Sequence, residues 1–246
     1  MSLTIRRRQV GTIPLLEVVP RAKRRDTLPL IIYYHGWQSQ KELNLTAARR
    51  LAQAGYRIIL PDAENHGERY RPYSGIPSLT FWQSIHTNLM EFGYLLDHFQ
   101  KLGLADDRIA VAGVSMGGIT TCALMTHHPE IQAAACLMGT PQPLRYAQRI
   151  AYHAQAAGRY MPSDYLDLLA WINHYDLSLH PERLADRPFL IWHGHQDDRI
   201  PFDHARDFVA ANPQANIDFI AEDEGHLVKV ATIKQVVDFF SENFPI

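Results

Sequence analysis

A serine between glycines, a pair of carboxylates and a late histidine are the residues of this chain whose types and spacing fit nucleophilic catalysis. Ser115 stands in Gly113-Val114-Ser115-Met116-Gly117-Gly118, after an apolar run that reads as a buried strand and before a stretch that reads as a helix. Such a turn forces the serine into strained backbone angles, and flanking residues without side chains relieve the crowding. The hydroxyl then projects above the sheet, while the helix N-terminus offers free N–H groups and positive potential. A phosphate-cradling loop is the competing use of such glycines. It requires G-x-x-x-x-G-K-[ST] or G-x-G-x-x-G, and neither is present.

A serine hydroxyl needs a base, and the base needs an orienting carboxylate. "FLIWHGHQDDRIP" supplies Asp197 and Asp198 directly after a strand, and "FIAEDEGHLVKV" supplies His226 after the last strand. The order serine, aspartate, histidine is the one expected on a scaffold of this type. An oxyanion hole would draw one N–H from Met116, following the nucleophile, and one from Trp37, in the loop after "IIYYHG".

The elements that must position these groups alternate between strand and helix. "TIRRRQVGTIPLLEVVP" predicts an opening hairpin broken at Gly11. "LPLIIYYHG" and "YRIILPD" predict strands, with a helix between them carrying Leu43, Ala47, Leu51 and Ala54 and ending at Gly55. Thr80 and Gln83 resemble a capping box that opens a long helix with Trp82, Ile85, Leu89, Phe92, Leu96 and Phe99 on one face. Further strands are expected at residues 109–114, 133–138, 189–193 and 217–221, with helices near 205–211 and 228–240. The alternation implies an α/β fold, a mostly parallel sheet covered by helices on both faces.

Between Gly139 and Pro188 the alternation stops. That interval exceeds what a parallel connection needs and carries Tyr146, Tyr152, Tyr160, Tyr165, Trp171 and Tyr175. It reads as an inserted helical cap, residues 141–185, on a core formed by residues 1–140 and 186–246; the alternative is an elaborated crossover that packs on the sheet edge and touches no ligand. Trp171 and Tyr160 are expected to bind substrate there. The cap aromatics and Trp37 suggest a confined apolar site for short or medium acyl groups.

Bulk properties narrow the function classes. The formal charge of −2 gives no electrostatic case for nucleic acid, and no apolar run reaches the ~20 residues of a membrane span. Cys122 and Cys136 fall in apolar segments and read as buried free thiols. With no signal-peptide pattern at the N-terminus, the expectation is a cytoplasmic protein. The oligomeric state is not encoded in these patterns.

The matching pieces "YYHGW", "LPDAENHGER", "GVSMGG", "LIWHGHQDDRIP" and "DEGHL" run in family order from residue 29 to residue 227. On them the chain resembles an α/β-hydrolase, and specifically the small bacterial carboxylesterases of the YjfP and YitV kind in the dienelactone-hydrolase and prolyl-oligopeptidase-like branch. The resemblance implies Ser115 as nucleophile, Asp197 as acid, His226 as base, and the N–H groups of Trp37 and Met116 as oxyanion hole. It implies a small-molecule ester substrate and no cofactor or metal. It also implies that Asp62 and His66 shape the site rather than move protons. Thioesterase, lactonase and peptidase chemistry use the same machinery. "HGHQDD" also resembles the H-x-H-x-D-H metal motif of metallo-β-lactamase-like hydrolases, but Asp198 replaces the last histidine. An inactive binding protein on the same fold is the remaining alternative.

Overall fold

The computed structural model describes residues 2–246. Its hairpin pairs β1 (Leu3–Val10) with β2 (Ile13–Pro20) antiparallel, and Gly11 turns the chain with φ 57°. The chain then runs through β3 (Leu28–Tyr34), α1 (Leu45–Gln53), β4 (Arg57–Pro61), α2 (Leu79–Lys101), β5 (Ala105–Val114), α3 (Met116–His127) and β6 (Ile131–Leu137). Three helices follow, α4 (Pro143–Ala156), α5 (Tyr165–Leu168) and α6 (Ile172–Tyr175). The last elements are β7 (Phe189–Gly194), α7 (Phe202–Ala211), β8 (Ile217–Glu222) and α8 (Val230–Asn243). The eight strands form one sheet in the order β1-β2-β4-β3-β5-β6-β7-β8, parallel from β4 to β8.

Both faces of the central strands are apolar, and alternation divides the residues between two layers. Leu30, Ile32 and Tyr34 of β3 join the core beneath α2, α3 and α7, while Ile31 and Tyr33 join the core beneath α1 and α8. The expected stripe of α2, from Trp82 to Phe99, is buried throughout. Truncating Phe92, fully buried beneath that helix, would cost about 3–5 kcal/mol. Cys122 and Cys136 are free and buried. Among the described residues no helix is long and apolar enough to cross a membrane.

Local differences from the sequence pattern have identifiable causes. Leu43 does not extend the buried face of α1; it lies 69% exposed in a tight turn before the helix. Thr80 does not cap α2. Ser78 occupies that position in a left-handed conformation, and Thr80 Oγ1 accepts the Ser74 N–H at 2.9 Å, fastening the incoming loop. β5 begins at Ala105 rather than residue 109, because Ala105 pairs with Leu28 ahead of an irregularity in the ladder. Glu17, which interrupts the apolar run of β2, is fully buried and paired with the equally buried Arg57 of β4 and with Arg8 at 2.6 Å. Burial pushes the Arg57 guanidinium down to about 10.

Residues 141–185 divide into two parts. Tyr146, Ala147 and Ile150 of α4, together with Tyr165 and Ile172, pack with Phe81 and Met116 over the carboxyl ends of the strands. Leu177 and Leu184 instead enter the main core beneath the sheet.

Candidate active site

The turn between β5 and α3 sets Ser115 apart from its surroundings. Ser115 adopts φ 57° and ψ −113°, a conformation costing about 1–3 kcal/mol for a residue with a side chain. Ladder and helix bonds hold it there: its N–H donates to Leu137 O at 2.8 Å, and its carbonyl accepts from Ile119 N at 3.0 Å. The flanking glycines answer to close approach. A Cβ on Gly113 would overlap the Gly117 carbonyl, and one on Gly117 would overlap the carbonyl of Tyr34.

Three strand ends bring the proposed proton relay together. His226, after β8, places Nε2 at 2.9 Å from Ser115 Oγ. Its Nδ1 lies 2.7 Å from Oδ2 of Asp197, on the loop after β7. The other Asp197 oxygen accepts the N–H groups of Arg199 and Ile200, each at 2.9 Å. His193 Nε2, fully buried, donates to Ile200 O at 2.9 Å and lies 3.2 Å from Asp197 Oδ2. Burial alone would raise the Asp197 carboxyl, but hydrogen bonds from His193 and His226 hold it well below the usual carboxylate range. An ionised Asp197 keeps the His226 proton on Nδ1 and turns the Nε2 lone pair toward the serine. Asp198 is exposed and makes none of these contacts.

A cavity of about 420 Å³ opens over Ser115 and His226, walled by Trp37, Phe81, Met138, Tyr146, Ile150 and Ile200. Met116 is the first residue of α3, where N–H groups have no partner within the helix. Gly36 passes directly beside Ser115, where a Cβ on it would stand 3.4 Å from Cβ of Ser115, and Trp37 follows it along the cavity wall. Trp37 is wedged edge-on against His66 and Phe81, with ring centroids 4.9 and 5.6 Å away.

The loop bearing Trp37 is held from behind. Asp62 accepts the Lys41 N–H at 2.9 Å, the Lys41 ammonium at 2.5 Å and the Glu68 N–H at 3.0 Å. Burial would lower the Lys41 ammonium, yet Asp62 and Glu68 raise it, so the cation persists in a buried position. His35 Nδ1 donates to Gly36 O at 2.8 Å while its Nε2 accepts the Ala63 N–H at 3.0 Å, which fixes a neutral tautomer. Burial pushes the His35 ring down to about 4. Neither Asp62 nor His66 bonds to the Ser115–His226 pair.

Trp171 and Tyr160 are not brought to the cavity. Tyr160 is 72% exposed beyond the end of α4. Trp171 stacks on His86 at 4.5 Å and packs beside Tyr175. Their expected places are taken by Tyr146 and Ile150, four residues apart on α4 and therefore on one face. Met138, Phe81 and Ile200 also line the cavity and carried no sequence signal beyond apolarity. The histidines of "HGHQDD" diverge, since His195 packs on Phe202 at 4.6 Å while His193 turns to Ile200 O.

Comparison with known proteins agrees with this architecture. The family model of the prolyl oligopeptidase family matches residues 89–245. YitV of Bacillus subtilis (strain 168) is 35% identical, over 97% of this chain and 98% of that protein. The esterase YjfP of Escherichia coli (strain K12) is 32% identical, over 82% of each. Among solved structures, TT1662 from Thermus thermophilus superposes over the full length of both chains with a TM-score of 0.77 at 18% identity. An eight-stranded sheet with the α/β-hydrolase topology, a family match across most of the chain and full-length relatives agree: the chain belongs to the prolyl oligopeptidase family, with an α/β-hydrolase fold.

Proposed function

We propose that this protein is a serine carboxylesterase acting on esters of short to medium acyl chains. The observation that carries this reading is the connected series Asp197 Oδ2, His226 and Ser115 Oγ, with spacings of 2.7 and 2.9 Å, beside a cavity lined mainly by apolar side chains. Ser115 Oγ attacks the ester carbonyl carbon while its proton passes to His226 Nε2. The carbonyl oxygen becomes an oxyanion facing the N–H groups of Trp37 and Met116, each such donor being worth about 3 kcal/mol. Collapse breaks the bond to the alcohol oxygen, which leaves with the proton from His226. Water then attacks acyl-Ser115, again with His226 as base, and the acid is released.

Nothing in these steps draws on a cofactor. The name of the relative YjfP points to the same chemistry. The cavity lies toward the small end of the range of about 300–1,000 Å³ typical for small-molecule sites, which suits compact acyl groups. A panel of 4-nitrophenyl esters of increasing chain length tests the reading, together with labelling by a fluorophosphonate. Turnover should peak at short or medium chains, and labelling should be lost in Ser115→Ala. An unlabelled wild-type serine, or equal turnover by Ser115→Ala, would overturn it.

A further inference from the structure

Beside the serine cavity lies a second recess, and the two share Tyr146, Ile150 and Arg199 in their common wall. Helix α4 explains the arrangement. Residues 146, 149, 150 and 153 recur at helical spacing and form one stripe. Tyr146 and Ile150 reach the serine side, while Arg149 and His153 line the recess. Arg159, just past the end of α4, and Arg199, on the loop that carries Asp197, complete the rim. Three exposed arginines thus line a recess in which, among the described residues, Asp198 is the one carboxylate.

These cations differ from the other charges of the same helix. Arg145, one turn earlier, is held by Asp203 at 2.7 Å and Asp207 at 3.0 Å. Among the described residues, no carboxylate oxygen lies within 4.0 Å of the guanidinium nitrogens of Arg149, Arg159 or Arg199. Like charges gathered at one recess repel each other, and a bound anion relieves that repulsion. Guanidinium forks match carboxylate and phosphate oxygens in geometry as well as charge. Burial and the Asp197 charge push the Tyr146 hydroxyl in the shared wall up to about 12, and Arg149 and Arg199 pull against that rise.

We propose that this recess is an oxyanion subsite, so that the preferred esters carry a carboxylate or phosphate group held by Arg149, Arg159 and Arg199 while the carbonyl sits at Ser115. The inference rests on the esterase reading and specifies its substrate class. Apolar walls take the hydrocarbon part, and the anionic tail crosses the shared rim at Arg199.

Two matched pairs of esters test it and separate the two anions. The first compares 4-nitrophenyl monoglutarate with its neutral methyl ester. The second compares the phosphate monoester of ethylene glycol monobutanoate with the unphosphorylated alcohol, following released butanoate. In at least one pair the anionic ester should show a kcat/KM tenfold or more above its neutral partner at low salt, and the pair that responds identifies the anion. That ratio should fall toward one in 1 M NaCl, where the Debye length shrinks to about 3 Å. The double variant R149Q/R159Q should bring the ratio to within about threefold of one, whereas R149K retains most of it. The neutral ester measured on the same preparation reports folding. Turnover of neutral esters with no anionic preference in either pair, or a preference that survives R149Q/R159Q, overturns the subsite and leaves the esterase reading standing. No turnover of any ester overturns the esterase reading, and the subsite with it.

Discussion

Lys41 Nζ lies 2.5 Å from Asp62 Oδ2, and both side chains are shut off from water. The pair joins two loops at the carboxyl edge of the sheet, one leading from Trp37 and the other passing through His66. Without Asp62 the buried Lys41 ammonium keeps Glu68 at 2.7 Å and Glu42 at 3.4 Å, so the cost falls below the ~3–5 kcal/mol of a wholly unpaired buried charge. Asp62→Ala is therefore expected to lower stability by about 1–3 kcal/mol, for the two backbone N–H groups and the ammonium it leaves short of a partner, and to reduce kcat by loosening the loop of Gly36 and Trp37 beside Ser115. Urea denaturation and steady-state kinetics with 4-nitrophenyl acetate measure the two effects. Wild-type stability in this variant would remove the clamp from the account.

The two adjacent aspartates should separate sharply. Asp197 accepts from two backbone N–H groups and faces two histidine rings, whereas Asp198 points to solvent. Asp197→Asn is expected to lower kcat by up to about 10⁴-fold, since an amide can donate to His226 Nδ1 and favour the wrong tautomer. Asp198→Asn should stay within about tenfold of wild type on a neutral ester. Kinetics on the two purified variants decide the matter, and a reversed order would assign the acid to Asp198.

Acid should destabilise the fold before Asp197 itself is protonated. His35 and His204 are buried, and desolvation pushes both rings down to about 4. An unfolded chain protonates them near about 6.5, so it binds more protons than the native state between these values. Their contribution is present above about pH 6.5 and is lost as pH falls toward 4, by an order of 1–3 kcal/mol for each ring. Asp197, also depressed, adds loss in the same direction only in stronger acid. The urea midpoint measured from pH 7 to pH 4.5 should decline steadily. A constant midpoint would contradict the burial of neutral imidazoles.

Chain-length preference should respond to α4 and not to the aromatics farther along. Tyr146→Ala and Ile150→Ala enlarge the cavity wall and should shift the optimum of a 4-nitrophenyl ester panel toward longer acyl groups. Tyr160→Ala should alter neither preference nor stability beyond about 0.5 kcal/mol, as expected for an exposed side chain. Trp171→Ala should lower the melting temperature through its lost packing on His86 and leave the optimum in place. A shifted optimum in Trp171→Ala with an unmoved one in Tyr146→Ala would reverse the assignment of the wall.

The strands and the Ser115–Asp197–His226 constellation were legible because each rests on a local pattern. An apolar run marks β3, β5 or β7, and a short motif follows it. The strand ends were off by a residue or a few where pairing with a neighbour, not propensity, decides them, as at Ala105 opposite Leu28. What local pattern cannot show is a partner distant in sequence. Lys41 reads as a surface lysine until Asp62 folds beneath it, and Glu17 reads as a break in an apolar run until Arg57 arrives on the adjacent strand. The aromatics of residues 141–185 illustrate the same point. Counting rings locates a helical segment, but the winding of α4 determines that Tyr146 faces the serine while Tyr160, past its end, does not.

Ser115 and His226 lie 111 positions apart in the chain, and the strand ends that carry Ser115, Asp197 and His226 come together only as the sheet extends outward from β5 through β6 and β7 to β8. Synthesis proceeds from the N-terminus, so a growing chain can complete the turn around Ser115 long before His226 has been made. On the proposed mechanism the half-made protein should be chemically silent, with reactivity switching on when the last strand docks. Fluorophosphonate labelling therefore doubles as a clock for folding. In a refolding reaction, or on stalled ribosomes of graded length, the label should lag behind the recovery of secondary structure and coincide with closure of the far edge.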